Sequence, residues 1–338
     1  MTDDLDPIDP EAAVELYLDQ RQDGVSESTR QTHEYRLDPF VKWCNTEGDV
    51  TNMNDLTGRD LHAYRVYRRE EDDLKPVTLQ GQLSTLRVFL RFCASIDAVP
   101  EGLPDKILLP TVSKGDDVSE STLDPNRAEA ILAYLGKYEY GSRDHIIWLL
   151  LWRTGMRTGA LRGIDLDDLD RDDPAVRIRH RPEEDTPLKN ADHGERWVAL
   201  TDYLVGVVED YIDGPRVETT DEFGREPLLT TREGRASRST IRDTFYRWTR
   251  PCMVGEECPH DREPEECEAT TFDTATKCPS TRSPHDARSG AITAHLMDDV
   301  PTEIVSGRMD VSPKILNRHY DRRSGREKME QRRDYLRD

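Results

Sequence analysis

Residues 153–170 read RTGMRTGALRGIDLDDLD, directly after the apolar run IIWLLLW at 146–152. The apolar run predicts a buried helix over about 143–155. The Thr-Gly pair then predicts a turn that stops it and leaves Arg157 at the end of the buried element. Seven apolar residues fall far short of the ~20 that a membrane span needs. Outward from this stretch, Asp124-Pro125 has the N-cap and N1 pairing that starts a helix. AVRIRH (175–180) and ERWVAL (195–200) read as two short strands, and helices are expected at 201–213, at 239–250 and from His285 to the end.

The first third of the chain reads differently. EAAVELYLDQRQ places Ala13, Leu16, Tyr17 and Leu18 on or near one face. Ser26 or Ser28 can cap a second helix with Tyr35, Phe40, Trp43 and Cys44 as its stripe, and Pro39 predicts a kink or break inside it. Thr57 can cap a third helix. Pro76 opens a fourth, whose Leu79, Leu83, Leu86, Leu90 and Cys93 recur at helical spacing. These readings give an acidic, disordered leader (1–10), an all-helical domain (11–96), a linker (97–121) and a second domain (122–338) that is mainly α with a small antiparallel sheet. The fold class is therefore mainly α (α+β).

Composition sets a puzzle. The 338 residues hold 47 Lys and Arg, only nine of them Lys, against 68 Asp and Glu, for a net charge of −21. Such an acid-rich, Lys-poor surface is expected of a protein kept soluble in high salt. Charge alone argues against nucleic acid as a partner. At molar salt, however, the Debye length is only ~3 Å, so the Arg islands count locally. The island at 231–250 carries Arg232, Arg235, Arg238 and Arg242, and the first domain carries Arg87 and Arg91; these are the candidate phosphate contacts. The acidic N-terminus has no signal-peptide core, so a cytoplasmic location is expected.

Three segments carry chemistry: the Arg157 stretch, HDARSGAITAHL (285–296) and ILNRHYDRR (315–323). His285 and Arg288, three apart, share a helix face. Two Arg forks and a His can hold one phosphate and manage a proton. A Tyr among cations can act as a nucleophile. Each alone is common by chance, but their order is not. Arg157, then Lys189 in TPLKNADHGERWVAL, then His285 and Arg288, then Tyr320 resembles the tyrosine recombinase (phage integrase) family, which includes Xer, Cre and lambda integrase. SESTRQTHEYRLDPFVKWC and VTLQGQLSTLRVFLRFC resemble helices of its core-binding domain. TGMRTGALRGIDLDDLD, with Ile164 and Asp168, resembles its first-arginine box.

The resemblance implies an all-helical SAM-like core-binding domain and a mixed α/β DNA breaking-rejoining domain. It also implies an enzyme that cuts and rejoins duplex DNA through a 3′-phosphotyrosine, without ATP or a catalytic metal, as a tetramer on two sites. Arg157 and Arg288 would hold the scissile phosphate, Lys189 would protonate the leaving 5′ oxygen, His285 would assist proton transfer, and Tyr320 would attack. His319 and Tyr335 are weaker nucleophile candidates. Three departures stand out: Ala160 replaces a common Glu, Arg308 occupies the place of a His or Trp, and the spacing around SGRMD is altered. A topoisomerase IB-like relaxing enzyme and a DNA-binding relative without catalysis are the alternatives.

Cys252, Cys258, Cys267 and Cys278 are separated by five, eight and ten residues within a polar stretch, 251–282, that interrupts the family pattern. Four thiolates, or three with His260, suit structural Zn2+; a disordered insertion with free thiols is the other reading.

Overall fold

The computed structural model describes residues 5–22, 24–70, 74–112, 121–298, 300–320 and 325–333. The chain forms two compact units, Met1–Ser119 and Glu120–Asp338.

The first unit holds helices α1 (Pro10–Gln20), α2 (Glu27–Thr46), α3 (Gly58–Glu70) and α4 (Pro76–Ser95). Asp9 caps α1, accepting from the Ala12 amide at 2.9 Å. The α4 stripe is buried throughout, from Leu79 to Cys93. It meets Tyr17, Phe40, Trp43 and Tyr64 in one core, and each such side chain stabilises by ~1.5–3 kcal/mol. Four expectations need correction. The leader is not loose over its described part: the Asp6 amide donates to the Asp97 carbonyl at 2.9 Å, and the Ile8 carbonyl accepts from Met53 at 2.8 Å. Leu16 and Tyr35 face solvent, while Val14 and Leu37 take inward places. Helix α2 runs unbroken through Pro39; the bond lost there belongs to the carbonyl of solvent-facing Tyr35, where water can replace it. Ala98, Val99, Leu103 and Ile107 join this core, so the first part of the expected linker belongs to the helical unit.

The second unit begins with α5 (Pro125–Tyr138), capped by Asp124, and α6 (Arg143–Thr154), in which Ile146 to Trp152 are all buried. The short helix α7 (Thr158–Arg162) follows. Strands β1 (Leu169–Asp170), β2 (Ala175–Ile178) and β3 (Arg196–Ala199) make an antiparallel sheet in that order; Val176 pairs with Val198 and Ile178 with Arg196. Next come α8 (Asp202–Asp213), a small hairpin of β4 (Thr230–Thr231) and β5 (Gly234–Arg235), and α9 (Arg238–Trp248). The Cys-rich stretch contains only short 3-10 turns. Helices α10 (Pro284–Met297), α11 (Thr302–Met309) and α12 (Pro313–Ile315) lead into a π-helical turn, Leu316–Tyr320, and α13 (Gly325–Arg333) closes the described chain. Trp148 of α6 packs on Phe245 of α9 with ring centroids 4.4 Å apart, which centres the core on the apolar run.

Candidate active site

Gly155 ends α6 in the left-handed conformation, φ 59°. A Cβ at this position would lie 2.6 Å from Met309 Sδ, so both backbone and packing require glycine there. Two residues on, Arg157 is the N-cap of α7, in extended conformation. Its guanidinium donates to the Asp310 carboxylate and remains 26% exposed. Asp310 is itself the left-handed cap of α11, and Asn190 Nδ2 donates to its Oδ1 at 2.8 Å.

Helix α10 is fixed by a capping box. Asp286 accepts from the Ser283 amide at 2.8 Å and from Ser121 Oγ at 2.6 Å. This start places Arg288 inward, only 4% exposed. It donates Nη1 to the Gly155 carbonyl and Nη2 to the Met309 carbonyl, the latter at 2.8 Å. Burial, then the neighbouring Arg157 charge, pushes its pKa down to about 10. Arg288 therefore ties together the two turns that present Arg157 and Asp310.

His285 lies one helical turn before Arg288, open to solvent on one side. Partial burial, and the charges of Arg288, Lys189 and Arg157, hold its imidazole below the ordinary range against the opposing pull of Asp286. A neutral imidazole near pH 7 can accept a proton. Lys189 is exposed between β2 and β3, in a loop fixed where the Leu188 amide donates to His180 Nδ1 at 2.9 Å. Tyr320 is the last residue of the π-helical turn, buried against Ile292, Leu296, Val305, Met309, Val311 and Leu316. Its carbonyl accepts from Thr293 Oγ1 at 3.1 Å, and it lies within electrostatic range of Arg288. Arg157, Lys189, His285, Arg288 and Tyr320 thus share one neighbourhood. The side chain of His319, and Tyr335, lie outside the described residues.

Other expectations are revised. Arg308 donates to the carbonyls of Ala199, at 2.9 Å, and Arg153, at 3.2 Å. It clips α11 to β3 and to the end of α6. Arg235 is not a surface cation: its guanidinium is 5% exposed, on Asp165 at 2.5 Å and Asp221 at 2.7 Å. Arg87 donates to the Ile107 carbonyl within the helical unit. Arg232 and Arg238 are exposed, and an Arg238 nitrogen lies 3.9 Å from where a Gly159 Cβ would stand, beside the Arg157 helix. Arg242 and Arg91 are also exposed, next to Asp243 at 3.3 Å and Asp105 at 3.8 Å. Asp168 accepts a two-pronged ion pair from Arg181 at 3.0 and 2.7 Å and a bond from the Asp165 amide at 3.0 Å. Sequence reasoning missed Asp310, Asn190 and Arg196, whose Nε donates to the Arg308 carbonyl at 2.8 Å. SGRMD displayed Asp310 openly, but nothing local announced that its partner is Arg157.

Cys252, Cys258, Cys267 and Cys278 line one small cavity together with His260, Arg250 and Arg262. Among the described residues, no three His, Cys, Asp or Glu side chains already converge as a metal site.

Comparison with known proteins agrees with this architecture. Residues 121–262 match the phage integrase family, and residues 15–95 match the phage integrase N-terminal SAM-like domain. These matches take in well over half of the sequence, and the chain belongs to the phage integrase family, the tyrosine recombinases. The catalytic-domain match ends inside the Cys-rich stretch, before His285, Arg288 and Tyr320. Among curated relatives, tyrosine recombinase XerD of Lacticaseibacillus casei is 26% identical over 155 residues, covering 45% of this chain and 50% of the relative. XerD of Shewanella oneidensis is 23% identical over 237 residues, covering 69% and 72%. The chain thus spans half the length of the first and nearly three quarters of the second. The Tn1549 transposon integrase, solved with a circular intermediate DNA, superposes with a TM-score of 0.67 at 14% identity, over 97% of this chain and 100% of that one. A lambda integrase dimer bound to a COC′ core site gives 0.60 at 11% identity, over 98% and 79%. At these identities the likeness is one of fold. No helix among the described residues is long and apolar enough to cross a membrane.

Proposed function

We propose that the protein is a site-specific recombinase that cuts and rejoins duplex DNA through a 3′-phosphotyrosine on Tyr320. The observation that carries the reading is geometric. Arg288 holds the Gly155 and Met309 carbonyls, beside the turns that present Arg157 and its partner Asp310; Asn190, next to Lys189, donates to that same Asp310, and Thr293 of the Arg288 helix holds the Tyr320 carbonyl.

In the proposed reaction the Tyr320 hydroxyl attacks the scissile phosphorus, and neutral His285 takes its proton. The new P–O(Tyr) bond forms as the P–O5′ bond breaks, and the leaving 5′ oxygen takes a proton from Lys189. Arg157 and Arg288 stabilise charge on the non-bridging oxygens. A 5′ hydroxyl from a second strand reverses the sequence, so the bond energy is conserved. The working assembly in this reading is a homo-tetramer on two DNA sites, in the cytoplasm of a cell with high internal salt. The charge of −21 supports that setting. Arg232, Arg238 and Arg242 would serve as phosphate contacts in the catalytic unit, and Arg91 in the helical unit.

The test uses a library of nicked duplexes with randomised cores at molar KCl. Wild type should give an SDS-stable protein–DNA adduct, and Tyr320→Phe should give none. An adduct that survives in Tyr320→Phe refutes the nucleophile; absence of any wild-type adduct refutes the catalytic reading.

A further inference from the structure

We propose that the Cys-rich stretch folds around one thiolate-preferring divalent cation of the Zn2+ class, held tetrahedrally by Cys252, Cys258, Cys267 and Cys278. Four observations carry this inference. First, thiols separated along the sequence by five, eight and ten residues all line the same cavity. Second, residues 251–282 offer little else to hold them in place. Their backbone forms only short 3-10 turns, and Pro251, Ala269, Ala275 and Cys278 are the buried residues among the side chains described there. A segment with so little apolar core needs a staple.

Third, the charge balances. Four thiols that lose their protons to solvent and bind one divalent cation leave a net charge of −2. Arg250 and Arg262 line the same cavity, so the site supplies two positive charges around the cluster. Arg250 is itself 3% exposed and donates to the Ala269 carbonyl, which fixes it there. Fourth, the fifth candidate ligand is already engaged: His260 Nε2 is 2.8 Å from Ser280 Oγ. That bond does not occupy Nδ1, so the choice rests on count: four sulfurs complete the tetrahedral set without an imidazole. The sulfurs ring the cavity without yet converging, so binding requires the thiol side chains to rotate inward.

The placement gives the cation a purpose. Cys252 follows α9 almost directly, and Cys278 stands five residues before Ser283, the N-cap of α10. A cation shared by both would fix the chain's return into the helix that carries His285 and Arg288. It would position that helix without touching the reacting atoms.

The test is metal content and thiol protection of the full chain. Protein purified without chelator should hold one Zn per chain, and Co2+ substitution should give a thiolate-to-cobalt charge-transfer band. In the native metal-bound state none of the six thiols should react quickly with a thiol reagent. After chelation four should react, while buried Cys44 and Cys93 stay protected. Cys258→Ser and Cys267→Ser should each lose most of the metal, and His260→Ala should keep it. Less than a fifth of an equivalent of metal, or thiol reactivity unchanged by chelation, overturns the site. Loss of metal in His260→Ala, with retention in Cys267→Ser, overturns the four-sulfur ligand set.

Discussion

Gly290 lies in α10 two residues beyond Arg288, where the helix meets the segment leading into α5. A Cβ there would stand 2.2 Å from the Leu123 carbonyl oxygen and 3.1 Å from Trp152 Cζ3, whereas ordinary contact begins at 3.4 Å. Relief in Gly290→Ala therefore requires about 1 Å of separation between α10 and a backbone atom that cannot rotate away. Leu123 has little room to retreat, because its amide donates to the Asp286 carbonyl at 3.1 Å and its side chain is buried. The expected cost is ~3 kcal/mol, the upper end of overpacking penalties. That corresponds to a fall of roughly 6–12 °C in the melting temperature of a unit this size. Gly206→Ala provides the control: Gly206 lies inside α8 with nothing within 4 Å of a new Cβ, and the change should gain ~0.5–1 kcal/mol of helix propensity. Urea titrations followed by tryptophan fluorescence measure both. Should Gly290→Ala melt within 0.5 kcal/mol (about experimental scatter) of wild type, the close approach of α10 to Leu123 is wrong.

Three further predictions follow from the same geometry. Arg235→Ala takes one arginine partner from buried Asp165 and Asp221, with Arg225 remaining on both and Arg181 on Asp165, and should cost ~1.5–3 kcal/mol in urea unfolding; a loss under 1 kcal/mol would return Arg235 to the surface. Asp310→Asn frees Arg157 from its internal carboxylate and should tighten binding of a short DNA duplex about 3- to 5-fold in fluorescence anisotropy at fixed salt, matching up to ~1 kcal/mol for a partly exposed pair; weaker binding would mean that Asp310 orients Arg157 instead of competing for it. His33, His145, His285 and His295 are all held below the ordinary 6.5, chiefly by burial. The unfolded chain therefore takes up protons first on acidification, so stability is full above pH 6.5 and falls below it; urea midpoints equal at pH 7.5 and 5.5 would contradict this.

Elements whose signals are local were legible in the sequence. The α4 stripe, the Asp124-Pro125 start and the Thr-Gly stop before Arg157 each depend on residues within one or two turns of one another. The charged residues behaved otherwise. Arg235 looked like its neighbours Arg232 and Arg238, but its partner Asp165 lies 70 residues away. Arg308 is fastened to a carbonyl 109 residues distant. A sequence displays a guanidinium without displaying the acceptor that the fold brings to it. Tyr35 fits the α2 stripe by spacing, and only the packing of α1 and α4 decides that Leu37 takes the inward place. The candidate site was legible as an ordered set of residue types, but the carboxylate lying on Arg157 was not.

The double attachment of Arg288 bears on how such a protein would decay. Lys189 is exposed and Arg157 keeps one face open, so either can drift once catalysis is no longer selected, at small cost to the fold. Arg288 cannot, because its removal leaves the carbonyls of Gly155 and Met309 without their donor in the interior. On the proposed chemistry, a descendant that had stopped cutting DNA would therefore lose the lysine and the first arginine early and keep the second for as long as it folded. Among sequences of this kind, Arg288 would mark lineage, and the residues at 157 and 189 would mark the proposed activity.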